Sequence, residues 1–175
     1  MLQAIQDALP AYAKDLKLNL SSLINHHEHF TNQQFWGTML SCAIASKNPF
    51  LLTAIEQQAK EQLSPEAYTA SKSAAAIMAM NNIYYRFTHL ISNLAYQKMS
   101  PNLRMSVMAE PGIDQLDFEL FSLAVSAING CGKCMDSHEY MLSSKGISKE
   151  TIQLAIKTAS VIHAVASVVG AEKLE

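Results

Sequence analysis

The sequence predicts an all-α fold made of two similar helical halves, and three observations carry that prediction. Nearly every long segment spaces its apolar residues with helical period, and strand-like alternation is almost absent. Helix-start signals recur along the chain. A stretch from Gln34, QFWGTMLSCAIAS, superposes on FELFSLAVSAING from Phe118 at an offset of 84 residues. The same offset lays Ser64-Pro65-Glu66 on Ser148-Lys149-Glu150, and Ala75 to Met78 on Ala159 to Ile162. One offset serving separated blocks predicts a single domain over residues 1–175, with a repeat at about 31–90 and 115–170 packed about a pseudo-two-fold axis.

The elements follow in order. Leu2 to Leu9 reads as a short amphipathic helix, and Pro10 is suited to open a second. Thr31 with Gln34 fits a capping box for a helix ending near Asn48. Pro49 suits the first turn of the next helix. Ser64-Pro65-Glu66 combines a cap, a proline at the first helical position and an acid in the first turn, and opens a long helix through AAAIMAMNNIYYRF. Asp114 caps a helix carrying Glu119, which Asn129-Gly130 ends. Cys131 to Ser144 is the next helix, broken by Gly146, and Ser148 caps the last, through about Val169.

Composition narrows the function. The chain is 49% hydrophobic and 16% charged, which favours an ordered globular domain with a full core. A net charge of −2 without a basic run gives no reason to expect nucleic acid. Three cysteines exclude a disulfide framework. The first twenty residues are amphipathic, with charges at Asp7, Lys14, Asp15 and Lys17, and lack the apolar centre of a signal peptide. No uninterrupted apolar run approaches the ~18 residues of a membrane span. A C-x-x-C pair in such a chain points to a reducing compartment, so the expected location is cytoplasmic.

The chemistry concentrates in NGCGKCMDSHEY. Cys131 and Cys134 stand three apart, His138 follows four later, and Glu119 lies upstream on an apolar segment. On a helix, three and four are neighbour spacings on one face. The cysteines can then meet as a dithiol or a disulfide, and His138, one turn on, can move a proton. Gly130 puts the pair at a helix start, where the dipole lowers a thiol pKa. Two rival readings stand beside a catalytic dithiol. One is a pair of small buried residues. The other is a zinc site completed by His138 and Glu119, although structural zinc usually brings a second close pair. Glu119 needs a partner if buried, either a structural arginine or the proton relay itself. The repeat supplies an internal comparison: Lys47, Phe50 and Ala54 stand where the second half has Cys131, Cys134 and His138, so the reactive residues are not needed merely to make a half.

Other candidates read as structural. His26-His27-Glu28-His29 precedes a helix cap and is expected to be a solvated loop rather than a metal tract. Cys42 falls mid-helix among Leu40, Ala43 and Ile44, a core environment. Met78 and Met80 read as helix packing. Asn81-Asn82 is unusual in a helix interior; the pair either satisfies buried backbone or lines the site beside the cysteines.

The stretches LPAYAKDLKLNLSS, FWGTMLSCAIASKNP, AAIMAMNNIYYRF, LRMSVMAEPGI and FELFSLAVSAINGCGKCMDSHEYML resemble the AhpD-like alkyl hydroperoxidase family of the carboxymuconolactone decarboxylase superfamily, over both halves of the chain. The resemblance implies an all-helical fold and a homotrimer. It also implies a thiol-dependent alkyl hydroperoxidase, without a bound cofactor, that regenerates an AhpC-type peroxiredoxin. Electrons would come from dihydrolipoyl groups of a lipoylated 2-oxo acid dehydrogenase component. Mapped onto this sequence, the family's motif implies Cys134 as the nucleophile that forms a sulfenic acid, and Cys131 as proton donor and resolving thiol. It implies Glu119 and His138 as catalytic partners. Lys133 stands where the family often has a histidine between the cysteines. Two other classes remain as alternatives: a lactone decarboxylase, for which a dithiol is unnecessary, and a non-catalytic zinc-binding or redox-sensing module.

Overall fold

The computed structural model describes residues 2–172, and its described residues contain eight α-helices and no strand. Helices α1 (Leu2–Ala8) and α2 (Lys14–Asn25) form an N-terminal arm, joined by a single 3₁₀ turn at Ala11–Ala13 for which Pro10 is the cap. Two successive helix triplets follow: α3 (Asn32–Ala45), α4 (Pro49–Gln62) and α5 (Pro65–Leu90), then α6 (Gln115–Ile128), α7 (Gly132–Ser144) and α8 (Lys149–Ala171).

The local start signals work as the residues dictate. The Thr31 hydroxyl accepts from the Gln34 amide while the Gln34 side chain accepts from the Thr31 amide, so both halves of the capping box form. Asn48, Ser64, Asp114 and Ser148 each accept from a first-turn amide, and Pro49 and Pro65 occupy first-turn positions. Helix α3 stops at Ala45, slightly before the expected end, because Asn48 is already committed to capping α4.

These caps also correct the internal alignment. Thr31 corresponds to Asp114 and Asn48 to Cys131 at an offset of 83, and only Ser64 and Ser148 keep the offset of 84. One extra residue lies between the caps of α7 and α8. The counterparts of Cys131, Cys134 and His138 are therefore Asn48, Leu51 and Ile55, not Lys47, Phe50 and Ala54. Lys47 instead matches Gly130, and both take the left-handed conformation that ends a helix (φ 55° and 69°). None of the corrected counterparts carries a thiol or an imidazole.

The triplets meet through α3 and α6. Both helices are buried for most of their length, with Phe35, Met39 and Leu40 facing Phe118, Phe121 and Leu123 in one core. Gly37 permits the close approach: a β-carbon there would lie 2.1 Å from the Phe121 ring. Helix α8 is long and apolar enough, by length and composition, to cross a membrane. In the fold its apolar stripe, including Ile152, Ala155, Ile162, Val165 and Val169, is buried, and it packs on α2, α3, α4 and α6.

The Gly37 contact gives a direct test. Alanine would favour a helix interior by about 1 kcal/mol, but its methyl would strike the fully buried Phe121 ring, which must shift within the core to make room. Overpacking of this kind costs about 1–3 kcal/mol. Gly37→Ala is expected to lower the urea midpoint, despite its better helix propensity.

A candidate redox site at the start of helix α7

Helix α7 begins at a sulfur. Cys131 is its N-cap, and the Cys131 Sγ accepts from the Cys134 amide at 3.3 Å. The turn before it is set by α6. Asn129 caps that helix, Gly130 takes φ 69°, and the Cys131 amide donates to the Ser126 carbonyl at 3.1 Å. The chain therefore reverses between α6 and α7 within a few residues. That reversal brings the cysteines of one helix beside the carboxylate of the other.

Cys131 and Cys134 are joined by a disulfide, with Cα atoms 5.3 Å apart. The two sulfurs differ in access. Cys131 is fully buried, whereas Cys134 keeps 7% of its surface and lines a cavity of about 340 Å³. Met78, Asn81 and Tyr85 contribute one wall from α5; Lys133, Cys134, Ser137 and His138 contribute another from α7. Met105 and Met108 complete it from the connection between α5 and α6. Three thioethers and a phenol ring make the space largely apolar, the kind of lining that suits an organic ligand.

Beside the disulfide lies a buried acid–imidazole pair. Glu119 Oε2 and His138 Nδ1 are 2.5 Å apart, and both side chains are more than nine-tenths buried. The second carboxylate oxygen, Oε1, accepts from Gln115 Nε2 at 3.1 Å, and that amide also donates to the Met108 carbonyl at 3.0 Å. A carboxylate accepts only, so Glu119 holds the Nδ1 hydrogen and fixes the imidazole ring. The Nε2 atom lies 3.4 Å from the Met78 Sδ, and the ring borders the cavity that Cys134 also borders. The arrangement can hold a proton at His138 on the cavity that Cys134, in the first turn of α7, also borders, a setting suited to supplying and quenching a thiolate.

Glu119, Cys131, Cys134 and His138 thus come together, and the partner of Glu119 is the histidine rather than an arginine. Arg86 donates instead to the Asn129 carbonyl at 2.7 Å. The Asn81-Asn82 pair divides its labour. Asn82 Nδ2 donates to the Ser126 hydroxyl and Asn82 Oδ1 accepts from Asn129 Nδ2, both at 2.9 Å, which locks α5 to the end of α6. Asn81 faces the cavity. Met78, read from sequence as packing, is buried but also meets His138 and the Ser126 hydroxyl through its sulfur. Gln115 is not among the residues expected from the sequence, although its place four residues before Glu119 on one helix is a readable signal. Tyr85 carries the same kind of signal, four residues after Asn81 on one helix, whereas Met105 and Met108 have none, because only the tertiary fold brings the connection over the site.

The remaining candidates lie elsewhere. The His27 ring stacks on Phe35 at 3.9 Å between centroids, which gives it a packing role. Cys42 is fully buried in the core, and burial pushes its thiol far above the usual range. In the reduced native protein, iodoacetamide is expected to label Cys134 first and leave Cys42 untouched until the chain unfolds, as peptide mass spectrometry would record. The same burial sets a pH dependence. Above about pH 8.5 the unfolded chain ionises this thiol while the folded chain keeps it protonated, so its contribution to stability falls as pH rises. Stability should decline more steeply above that pH in the native protein than in Cys42→Ala.

Residues 95–174, which span α6 to α8, match the carboxymuconolactone decarboxylase family. The chain is 55% identical to alkyl hydroperoxide reductase AhpD of Streptomyces avermitilis over 98% of its length and 96% of the relative's. It is 56% identical to AhpD of Streptomyces griseus over the same shares. It is 52% identical to AhpD of Koribacter versatilis over 98% of this chain and 89% of that one. At this identity over nearly the whole length, the chain belongs to the AhpD family of alkyl hydroperoxide reductases, enzymes of the oxidoreductase class within the carboxymuconolactone decarboxylase superfamily.

Proposed function

We propose that the chain is a cytoplasmic antioxidant enzyme that reduces alkyl hydroperoxides through its C-x-x-C dithiol, regenerates an AhpC-type peroxiredoxin, and is itself reduced by dihydrolipoyl groups. The observation that carries this reading is the difference between the two sulfurs: Cys134 borders an apolar cavity together with His138, and Cys131 is sealed behind it. The sulfur that can meet a substrate is the natural nucleophile. The sealed one is suited to resolve the product.

In the reduced protein His138, held by Glu119, takes the Cys134 proton. The thiolate attacks the terminal oxygen of the hydroperoxide, the O–O bond breaks, and the departing alkoxide takes a proton to become the alcohol. Cys134 is left as a sulfenic acid. The Cys131 thiol then attacks that sulfur, water leaves, and the disulfide forms. Exchange with the two thiols of a dihydrolipoyl group restores the dithiol and leaves the lipoyl disulfide. The same exchange in the other direction would pass electrons to a peroxiredoxin disulfide. Lys133, at the second position of α7 and on the cavity wall, adds a positive charge that favours the thiolate.

The working form is a homotrimer, as the family resemblance implies, and the outer surface supports self-association. Ile83 (66% exposed), Phe87 and Leu90 (73% exposed) project from one face of α5, and Leu94 and Met99 continue the apolar strip along the following connection. A strip of this kind is covered most simply by further copies of the same chain. Replacing Ile83 and Leu90 together by glutamate is expected to shift the mass measured by light scattering from trimer to monomer.

Two measurements test the chemistry. Dihydrolipoamide should reduce the oxidised protein much faster than thioredoxin does; equal rates would remove the lipoyl assignment. Glu119→Gln keeps the shape but loses the charge that fixes and polarises His138, so hydroperoxide turnover at pH 7 should fall by about 10²–10⁴-fold. The defect should shrink toward pH 9, where hydroxide ionises the thiol unaided. A defect equally large at both pH values would make Glu119 a structural group only.

A further inference from the structure

We infer that Asn81 is a substrate-positioning residue that grips the hydroperoxide group itself and turns its terminal oxygen toward Cys134. The inference rests on the peroxidase reading above and adds to it a binding group outside the Glu119, Cys131, Cys134 and His138 set.

Asn81 lies on the face of α5 that carries Met78 and Tyr85, and all three line the cavity bordered by Cys134 and His138. It is 5% exposed, and its carboxamide oxygen is shielded from solvent with no hydrogen-bond partner among the described residues. The contrast with its neighbour is instructive. Asn82 uses both ends of its amide to tie Ser126 and Asn129 together, so this part of α5 can satisfy an amide where the fold needs one. An unpaired buried acceptor costs about 1–3 kcal/mol, and such a group in a well-packed site calls for an explanation. A ligand that brings the missing donor is one.

The chemistry of the group matches. A hydroperoxide has one hydrogen, on its terminal oxygen, and lone pairs on the inner oxygen. A carboxamide offers an acceptor and donors side by side in one plane. The Asn81 carbonyl can take the terminal O–H while its NH₂ donates to the inner oxygen. As the thiolate gives its electron pair to the terminal oxygen, the O–O pair moves onto the inner oxygen, which becomes the alkoxide and then the alcohol. The donated hydrogen bond therefore strengthens as the bond breaks, which is the condition for accelerating the step. The other cavity groups from α5 and the connection are three thioethers and the Tyr85 phenol, whose hydroxyl is directed at the Met105 sulfur at 3.8 Å. A neutral amide also avoids placing a second carboxylate against the thiolate.

Asn81→Leu, close in volume and apolar, provides the test. The reduced protein is mixed with tert-butyl hydroperoxide in a single turnover, and thiol loss is followed by quenching with a chromogenic disulfide. The second-order rate is expected to fall by about 10²-fold, the scale of losing one donor to a developing oxyanion. Three readouts should not fall: alkylation of Cys134 by iodoacetamide, reduction of the Cys131–Cys134 disulfide by dihydrolipoamide, and the melting temperature, which should hold or rise because an unpaired acceptor has gone. Asn81→Ser keeps a short hydrogen-bonding group and should recover part of the rate. A wild-type oxidation rate in Asn81→Leu overturns the inference. So does a loss of Cys134 alkylation in step with oxidation, or a lower melting temperature in both the Leu and Ser variants, since either makes Asn81 part of the frame. A wild-type protein that the hydroperoxide fails to oxidise is a different result: it removes the peroxidase reading first, and this inference with it.

Discussion

The buried carboxylate of Glu119 is the constraint around which the site is arranged. It sits on α6, ten of whose fourteen residues are buried, where an unpaired charge would cost several kcal/mol. Two groups among the described residues answer it, Gln115 from its own helix and His138 from the next. Satisfying the carboxylate therefore fixes the angle at which α7 leaves the Asn129-Gly130 turn. That angle in turn fixes where Cys134 stands. The acid–imidazole pair orders the structure and prepares the chemistry with one contact, and removing either partner would leave the other charged or unpaired in the core.

The start of α7 shows the same coupling from the side of the cysteines. In the first triplet the corresponding helix is capped by Asn48, whose oxygen accepts from the Leu51 amide at 2.9 Å and whose nitrogen reaches the Ala166 carbonyl at 3.3 Å. Cys131 does the capping in α7 with a sulfur, a weak acceptor that ranks well below asparagine at this position. A reactive sulfur thus occupies a place where the fold would be better served by an amide. The helix dipole that Asn48 uses for stability is available at Cys131 and Cys134 for stabilising negative charge on sulfur.

Much of this was legible in the sequence, for a physical reason: caps and turns are local. Thr31 with Gln34, Ser64 with Pro65, Asp114, and Ser148 each announce a helix through bonds made within four residues, and each forms. Cys131, Cys134, His138 and Glu119 were legible because helical spacing and the apolar context of Glu119 left few ways to satisfy them. The repeat register was harder. Helices dense in Ala, Ser and Ile superpose almost as well one residue out of step, so only the caps reveal that α3 and α4 align with α6 and α7 at 83. The cavity wall was harder still. Met105 and Met108 reach the site through the long connection 91–114, and no periodicity predicts where such a segment folds back.

That connection belongs to neither helix triplet. The disulfide and the acid–imidazole pair stand on α6 and α7, held by buried contacts that tolerate little change. Part of the wall that a substrate's organic portion would meet stands instead on a surface segment, tied down through the Met108 carbonyl and the Gln115 side chain. Loops of this length accept substitution and insertion far more readily than core helices do. The architecture therefore separates what must be kept from what can vary: lineages of this fold are free to retune which organic molecules they admit by rewriting a loop, with the reactive core inherited intact.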